Sequence, residues 1–170
     1  LSAPEIAYIL QDADAKVFIS HERYASVVCA AADEAGVAPE RRLAHGALTG
    51  FSPFTELLDA QPTTMPDDRS TGAAMHYTSG TTGKPKGVKR ALADLDPDLS
   101  AELFTFLLGL FGIVPNEGNV HLCTSPNYHT AVTTFAGNSL HMKHAVVCMD
   151  KWDPEEALRL IERYRCTHTH

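Results

Sequence analysis

No C-x-x-C pair, no internal repeat, no excess of positive charge and no bilayer-length apolar run occur in these 170 residues. Each absence removes a class. Cys29, Cys123, Cys148 and Cys166 stand far apart, so neither a zinc-ribbon spacing nor a disulfide framework is expected. Three of them sit in apolar runs, which predicts buried, reduced thiols in a cytoplasmic protein. Fourteen Lys and Arg against 21 Asp and Glu give a net charge of -7, which argues against a general nucleic-acid binder. The greasiest segment, Leu103 to Val114, is too short to span a membrane and is broken by Gly109 and Gly112, so no transmembrane segment is expected. The first residues carry no signal-peptide pattern.

What is present is ordinary globular material, 44% apolar and 21% charged. Strand-like and helix-like segments alternate. Ser2-Ala3-Pro4-Glu5 is a capping-box pattern, opening a helix with Ile6, Ile9 and Leu10 inward. Ala15 to Ser20 reads as a buried strand carrying Val17, Phe18 and Ile19. His21 to Ala35 reads as a helix with Tyr24, Val27, Val28, Ala31 and Ala35 on one face, ended by Gly36. Residues 36 to 72, rich in Pro, Gly, Thr and Asp, read as a long connection with a helical turn or two after Ser52-Pro53. The apolar run Ala73-Ala74-Met75 is expected to form a strand from whose end the following loop leaves.

Asp96-Pro97-Asp98 is a helix start, and the helix to about Phe111 is apolar nearly all round, which predicts burial. Val120 to Thr124 and Ala145 to Met149 read as strands, and residues 130 to 142 as a helix between them. Asp153-Pro154-Glu155-Glu156 starts a helix through Arg165, and Cys166 to His170 begins another strand. Helices between strands imply βαβ units: the fold class is α/β with a mostly parallel sheet. The chain opens at a helix cap and closes inside a strand, which predicts a piece of a longer protein.

The chemistry concentrates in Tyr77-Thr78-Ser79-Gly80-Thr81-Thr82-Gly83-Lys84-Pro85-Lys86-Gly87-Val88. Its three glycines let backbone N–H groups approach an anion. Four Ser and Thr hydroxyls can donate to phosphate oxygens, and two lysines bring compact positive charge. Neither G-x-x-x-x-G-K-[ST] nor G-x-G-x-x-G is met, so the two commonest phosphate-loop families do not apply. The histidine pairs His141/His144 and His168/His170 lack third and fourth ligands at a metal-binding spacing.

The twelve-residue string resembles, at every position, the signature of the adenylate-forming (AMP-binding) superfamily, [YTS]-[TS]-[SG]-G-[ST]-[TS]-G-x-P-K-G-V. Downstream, Ser125-Pro126-Asn127-Tyr128-His129 is similar to the P-x-[YF]-H segment of acyl- and aryl-CoA ligases. The opening helix–strand unit and the closing Ile161 to His168 also resemble the family's, so the likeness runs over nearly the whole chain. It departs at Lys89-Arg90, where many relatives carry Ser or Thr followed by His.

The resemblance implies an ATP-dependent acyl-CoA synthetase. In that family a carboxylate attacks the α-phosphorus of ATP, pyrophosphate leaves, and the acyl group of the adenylate passes to a thiol such as coenzyme A. It implies that Thr78, Ser79, Gly80, Thr81, Thr82, Gly83, Lys84, Lys86 and Gly87 bind the polyphosphate, Lys86 ahead of Lys84. Thr78 would assist Mg2+, and His129 would sit where the carboxylate meets the acyl pocket, as the catalytic candidate. The expected partner is a carboxylic acid, of the fatty-acid kind. Residues 1 to 170 would be part of a large N-terminal domain, the C-terminal lid and its lysine lying beyond His170. The alternative is a non-catalytic folded fragment with at most weak ATP or polyphosphate binding.

Overall fold

The computed structural model describes residues 1–78, 85–115 and 118–170. The chain forms two compact units: Leu1–Asp67 with Ala73–Ala91, and Asp68–Gly72 with Leu92–His170.

In the first unit, α1 (Ala3–Asp12) starts as its sequence predicts. The Glu5 carboxylate accepts from Ser2 N at 2.7 Å and from Ser2 Oγ at 2.8 Å. A 3-10 turn, Glu22–Tyr24, precedes α2 (Ala25–Ala35), so the second helix begins later than expected. Gly36 ends α2 at φ +72°, a conformation that costs a glycine nothing. β1 (Phe18–His21), β2 (Arg42–His45) and β3 (Ser52–Pro53) form a parallel sheet in that order, with Ile19 opposite Leu43. A short α3 (Phe54–Asp59) follows, as Ser52-Pro53 suggests.

The core of this unit is Val28, Ala44 and Leu48, joined by Ile6, Phe18, Val27, Cys29 and Phe51. Three expectations are corrected. Val17 and Ile19 are 51% and 48% exposed, because only the Phe18 side of β1 meets the core. Tyr24 is 50% exposed, because it belongs to the 3-10 turn and is out of step with the face of α2. The connection 36–72 contains a strand, β2, whose Leu43-Ala44 pair lies between arginines and His45-Gly46. Two apolar residues are too few to show a period.

Also in this unit, β4 (His76–Thr78) and β5 (Lys86–Val88) pair antiparallel, with His76 opposite Val88, Tyr77 opposite Gly87 and Thr78 opposite Lys86. The strand begins after Ala73-Ala74-Met75 rather than within it.

In the second unit, α4 (Pro97–Gly109) is capped by Asp96, which accepts from Asp98 N at 2.8 Å and Leu99 N at 3.3 Å. β6 (Val120–Cys123), α5 (Thr130–His141), β7 (Ala145–Cys148), α6 (Pro154–Tyr164) and β8 (His168–Thr169) follow. The strands form a parallel sheet in the order β7-β6-β8. Asp153 caps α6 by accepting from Glu156 N at 2.8 Å. Helix α6 stops one residue before the expected Arg165, which takes φ +51°.

The burial expected of α4 is corrected: Leu103, Phe104 and Phe106 are 61%, 61% and 69% exposed, and only Ser100 and Leu108 are buried. Within its unit α4 meets α5, where Asn138 Nδ2 donates to the Phe104 carbonyl at 3.0 Å. One helical neighbour covers one stripe and leaves the rest of the circumference open. Asp98, exposed in the first turn of α4, accepts from Arg69 at 2.8 Å.

Candidate functional site

The motif lies on the β4–β5 hairpin. Pairing of Thr78 with Lys86 sets the hydroxyl and the ammonium on directly opposed residues, both exposed. Thr78 Oγ1 has one long hydrogen bond, 3.5 Å to the Lys86 carbonyl oxygen. At that length the hydroxyl is weakly held and can turn to another partner. Ser79, Gly80, Thr81, Thr82, Gly83 and Lys84 lie outside the described residues.

Gly87 has a reason that its phosphate reading does not contain. A Cβ on this residue would meet Met75 Cε and would lie 2.9 Å from Tyr77 Cζ. The Tyr77 ring therefore covers the glycine, and its hydroxyl donates to Asp12 Oδ2 at 2.7 Å, at the end of α1. Burial, followed by the Asp12 carboxylate, pushes the Tyr77 hydroxyl up to about 12. Tyr77 thus fastens β4 to α1 and fills the space left at Gly87. Sequence reading did not find this tie, since its ends are 65 residues apart.

The second candidate segment is in the other unit. β6 ends at Cys123, and residues 124–129 lead to His129, the N-cap of α5. The His129 N–H donates to the Pro126 carbonyl at 3.0 Å, and its carbonyl accepts from Thr133 N at 3.1 Å. The Tyr128 and His129 rings stack at 5.1 Å and both are exposed. The imidazole is therefore presented outward by a fixed backbone. Thr78, Lys86 and Gly87 are brought together on one hairpin, while His129 belongs to the other unit.

Beneath α5 the second unit holds a histidine cluster. His121, fully buried on β6, has Nδ1 at 3.0 Å from Ser139 Oγ and Nε2 at 3.1 Å from His170 Nδ1. Ser139 Oγ is also 3.2 Å from His168 Nε2. His144 Nε2 donates to the Val114 carbonyl at 2.9 Å. Burial, reinforced by His168 and His170, depresses His121 to about 4. His168 and His170 are lowered too, first by burial and then by His144 and His129 respectively. A low-dielectric pocket holding several imidazoles admits no proton easily. Among the described residues no group of three or more His, Cys, Asp or Glu is arranged to hold a metal ion.

All four cysteines are free thiols; Cys123 is buried as the sequence suggests, whereas Cys29 and Cys166 are half-buried and Cys148 is exposed. No helix among the described residues is long and apolar enough to cross a membrane.

A family profile described as AMP-binding enzyme matches residues 1–170. The chain is 28% identical to 4-hydroxybutyrate–CoA ligase 2 of Metallosphaera sedula over 99% of its own length and 32% of that protein's. It thus spans about a third of the length of the curated relatives it matches. The inhibitor-bound N-terminal domain of FACL13 from Mycobacterium tuberculosis superposes with a TM-score of 0.71, at 27% identity, covering 99% of this chain and 40% of that one. The o-succinylbenzoate coenzyme A synthetase of Bacillus subtilis, in complex with ATP and magnesium ion, superposes with a TM-score of 0.60. That likeness, at 19% identity over 99% of this chain and 32% of that one, is one of fold. The α/β architecture with parallel sheets is that of adenylate-forming N-terminal domains.

Proposed function

This chain belongs to the AMP-binding enzyme family, and from that premise we propose that it supplies the polyphosphate-gripping part of an ATP-dependent acyl-CoA synthetase. The supporting observation is the β4–β5 hairpin, which sets exposed Thr78 and Lys86 opposite each other at the two ends of the Ser79 to Lys84 segment. The donor set suits a triphosphate: hydroxyls, glycine backbone and two lysines within twelve residues. Lys86 would neutralise charge on the β- and γ-phosphates, as would the backbone and hydroxyls of Ser79, Gly80, Thr81, Thr82 and Gly83. Lys84 would add a second cation, and Gly87 keeps Lys86 on its strand by admitting the Tyr77 ring.

Thr78 fits a magnesium ion by the chemistry of its donor, a hydroxyl held by one 3.5 Å hydrogen bond. The ion, when bound, supplies positive charge to crowded phosphate oxygens. His129 would orient the acid's carboxylate or gate its pocket, an imidazole on a helix N-cap being fixed in backbone and open in side chain. The acid would be of acyl or aryl kind, with fatty acids the leading class and coenzyme A the thiol acceptor. These residues would form part of a larger N-terminal domain, in keeping with a match to 32% of the Metallosphaera relative.

The test is carboxylate-dependent exchange of pyrophosphate into ATP by the whole protein. Exchange with an acyl or aryl acid supports the proposal, and silence across a broad acid panel overturns it. The same 32% coverage favours a second reading for residues 1–170 by themselves: weak polyphosphate binding with no turnover. Calorimetric titration of that polypeptide with ATP separates the two, since tight binding would exclude the second.

A further inference from the structure

Cys123 ends β6 and Cys148 ends β7, and the two are Cα partners in adjacent parallel strands. Neighbouring strands lie about 4.8 Å apart and opposed residues point to the same face. That spacing falls inside the range of about 4.4–6.8 Å between Cα atoms that a disulfide needs. Each cysteine is thus the other's direct neighbour across the ladder. The other two cysteines turn to backbone carbonyls instead, Cys29 to Thr49 at 3.7 Å and Cys166 to Leu160 at 3.6 Å.

We infer that Cys123 and Cys148 are a redox-active dithiol that a hydroperoxide converts to a cross-strand disulfide at the carboxyl end of the sheet.

The two sulfurs have different surroundings. Cys148 is exposed and open to attack, whereas Cys123 is 1% exposed. Burial first, and the adjacent thiol second, push Cys123 up to about 11. Cys148 therefore reacts first. Its sulfur attacks an oxygen of hydrogen peroxide: the S–O bond forms, the O–O bond breaks, and the released hydroxide takes the Cys148 thiol proton and leaves as water, giving a sulfenic acid. Cys123 sulfur then attacks Cys148 sulfur, the S–S bond forms, the S–O bond breaks, and a second water carries off the Cys123 proton. Two electrons pass from the thiols to the peroxide. Pairing already continues past this point, with Met149 N donating to the Cys123 carbonyl at 3.1 Å, so the strands need not separate. The product ties β7 to the strand that leads directly to His129.

The whole protein, treated with hydrogen peroxide, blocked with iodoacetamide and digested with trypsin, gives a direct reading. Cleavage after Lys143 puts Cys123 and Cys148 on different peptides. The expected result is a peptide pair linked through these two cysteines and released by dithiothreitol, with Cys29 and Cys166 still alkylated. Cys148→Ser, an exposed substitution, should leave Cys123 reduced under the same dose. Over-oxidation of Cys148 without a link, linkage of either residue to Cys29 or Cys166, or full alkylation of both would each overturn the inference.

Discussion

Lowering the pH should weaken the second unit through its buried and half-buried histidines, His121 foremost among them. This imidazole is fully buried, flanked by His168, His170 and His144, with Ser139 Oγ and the Phe135 backbone as its polar neighbours. Its proton affinity falls from the ordinary 6.5 to about 4 on folding. Each tenfold in proton affinity is worth about 1.4 kcal/mol, so the folded state forgoes about 3 kcal/mol of proton binding that the unfolded chain enjoys. Above pH 6.5 both states are neutral and nothing is lost. As pH falls from 6.5 towards 4 the unfolded state binds the proton first, and stability drops. Urea unfolding of the wild type and of His121→Asn at a series of pH values measures this. The variant carries a constant offset for lost packing and hydrogen bonds. The difference between the two proteins should nevertheless shrink by about 3 kcal/mol from pH 7 to pH 4. A difference that stays flat over that range would refute the account of His121 as a neutral, proton-resisting core residue.

Lys86→Ala should lower pyrophosphate exchange by on the order of 10²-fold, the usual loss for one charge-stabilising donor, with unchanged thermal unfolding because the side chain is exposed. Gly87→Ala should destabilise the first unit by about 1–3 kcal/mol in urea melts, since the new Cβ collides with Tyr77 and Met75. Tyr77→Phe removes the hydrogen bond to Asp12 and should cost about 1 kcal/mol by the same measurement. Equal stability of Gly87→Ala would show that the ring does not pack on the glycine, and equal stability of Tyr77→Phe that the hydroxyl does not tie β4 to α1.

Helix ends were the most readable features of the chain. Ser2 with Glu5, Asp96 before Pro97, Asp153 before Pro154 and Gly36 after α2 act within one turn, so a few adjacent residues carry the whole signal. The twelve-residue motif was readable for the same reason, and its flanks do form a hairpin. β2 escaped because two apolar residues between charges show no alternation. The exposure of α4 escaped because apolar residues all round a helix describe its surface and not its neighbours. The histidine cluster joins His121 of β6, Ser139 of α5 and the His168/His170 pair at β8, and it exists only because β8 pairs with β6. Sequence spacing contains no trace of that adjacency.

The Tyr77–Asp12 bond bears on any attempt to transplant the motif. Moved alone into a host scaffold, residues 77–88 would leave behind the carboxylate that anchors the aromatic ring. The ring would then be free to swing off Gly87, and the backbone that presents Lys86 would lose its clamp. A working graft must import the end of α1 together with the hairpin.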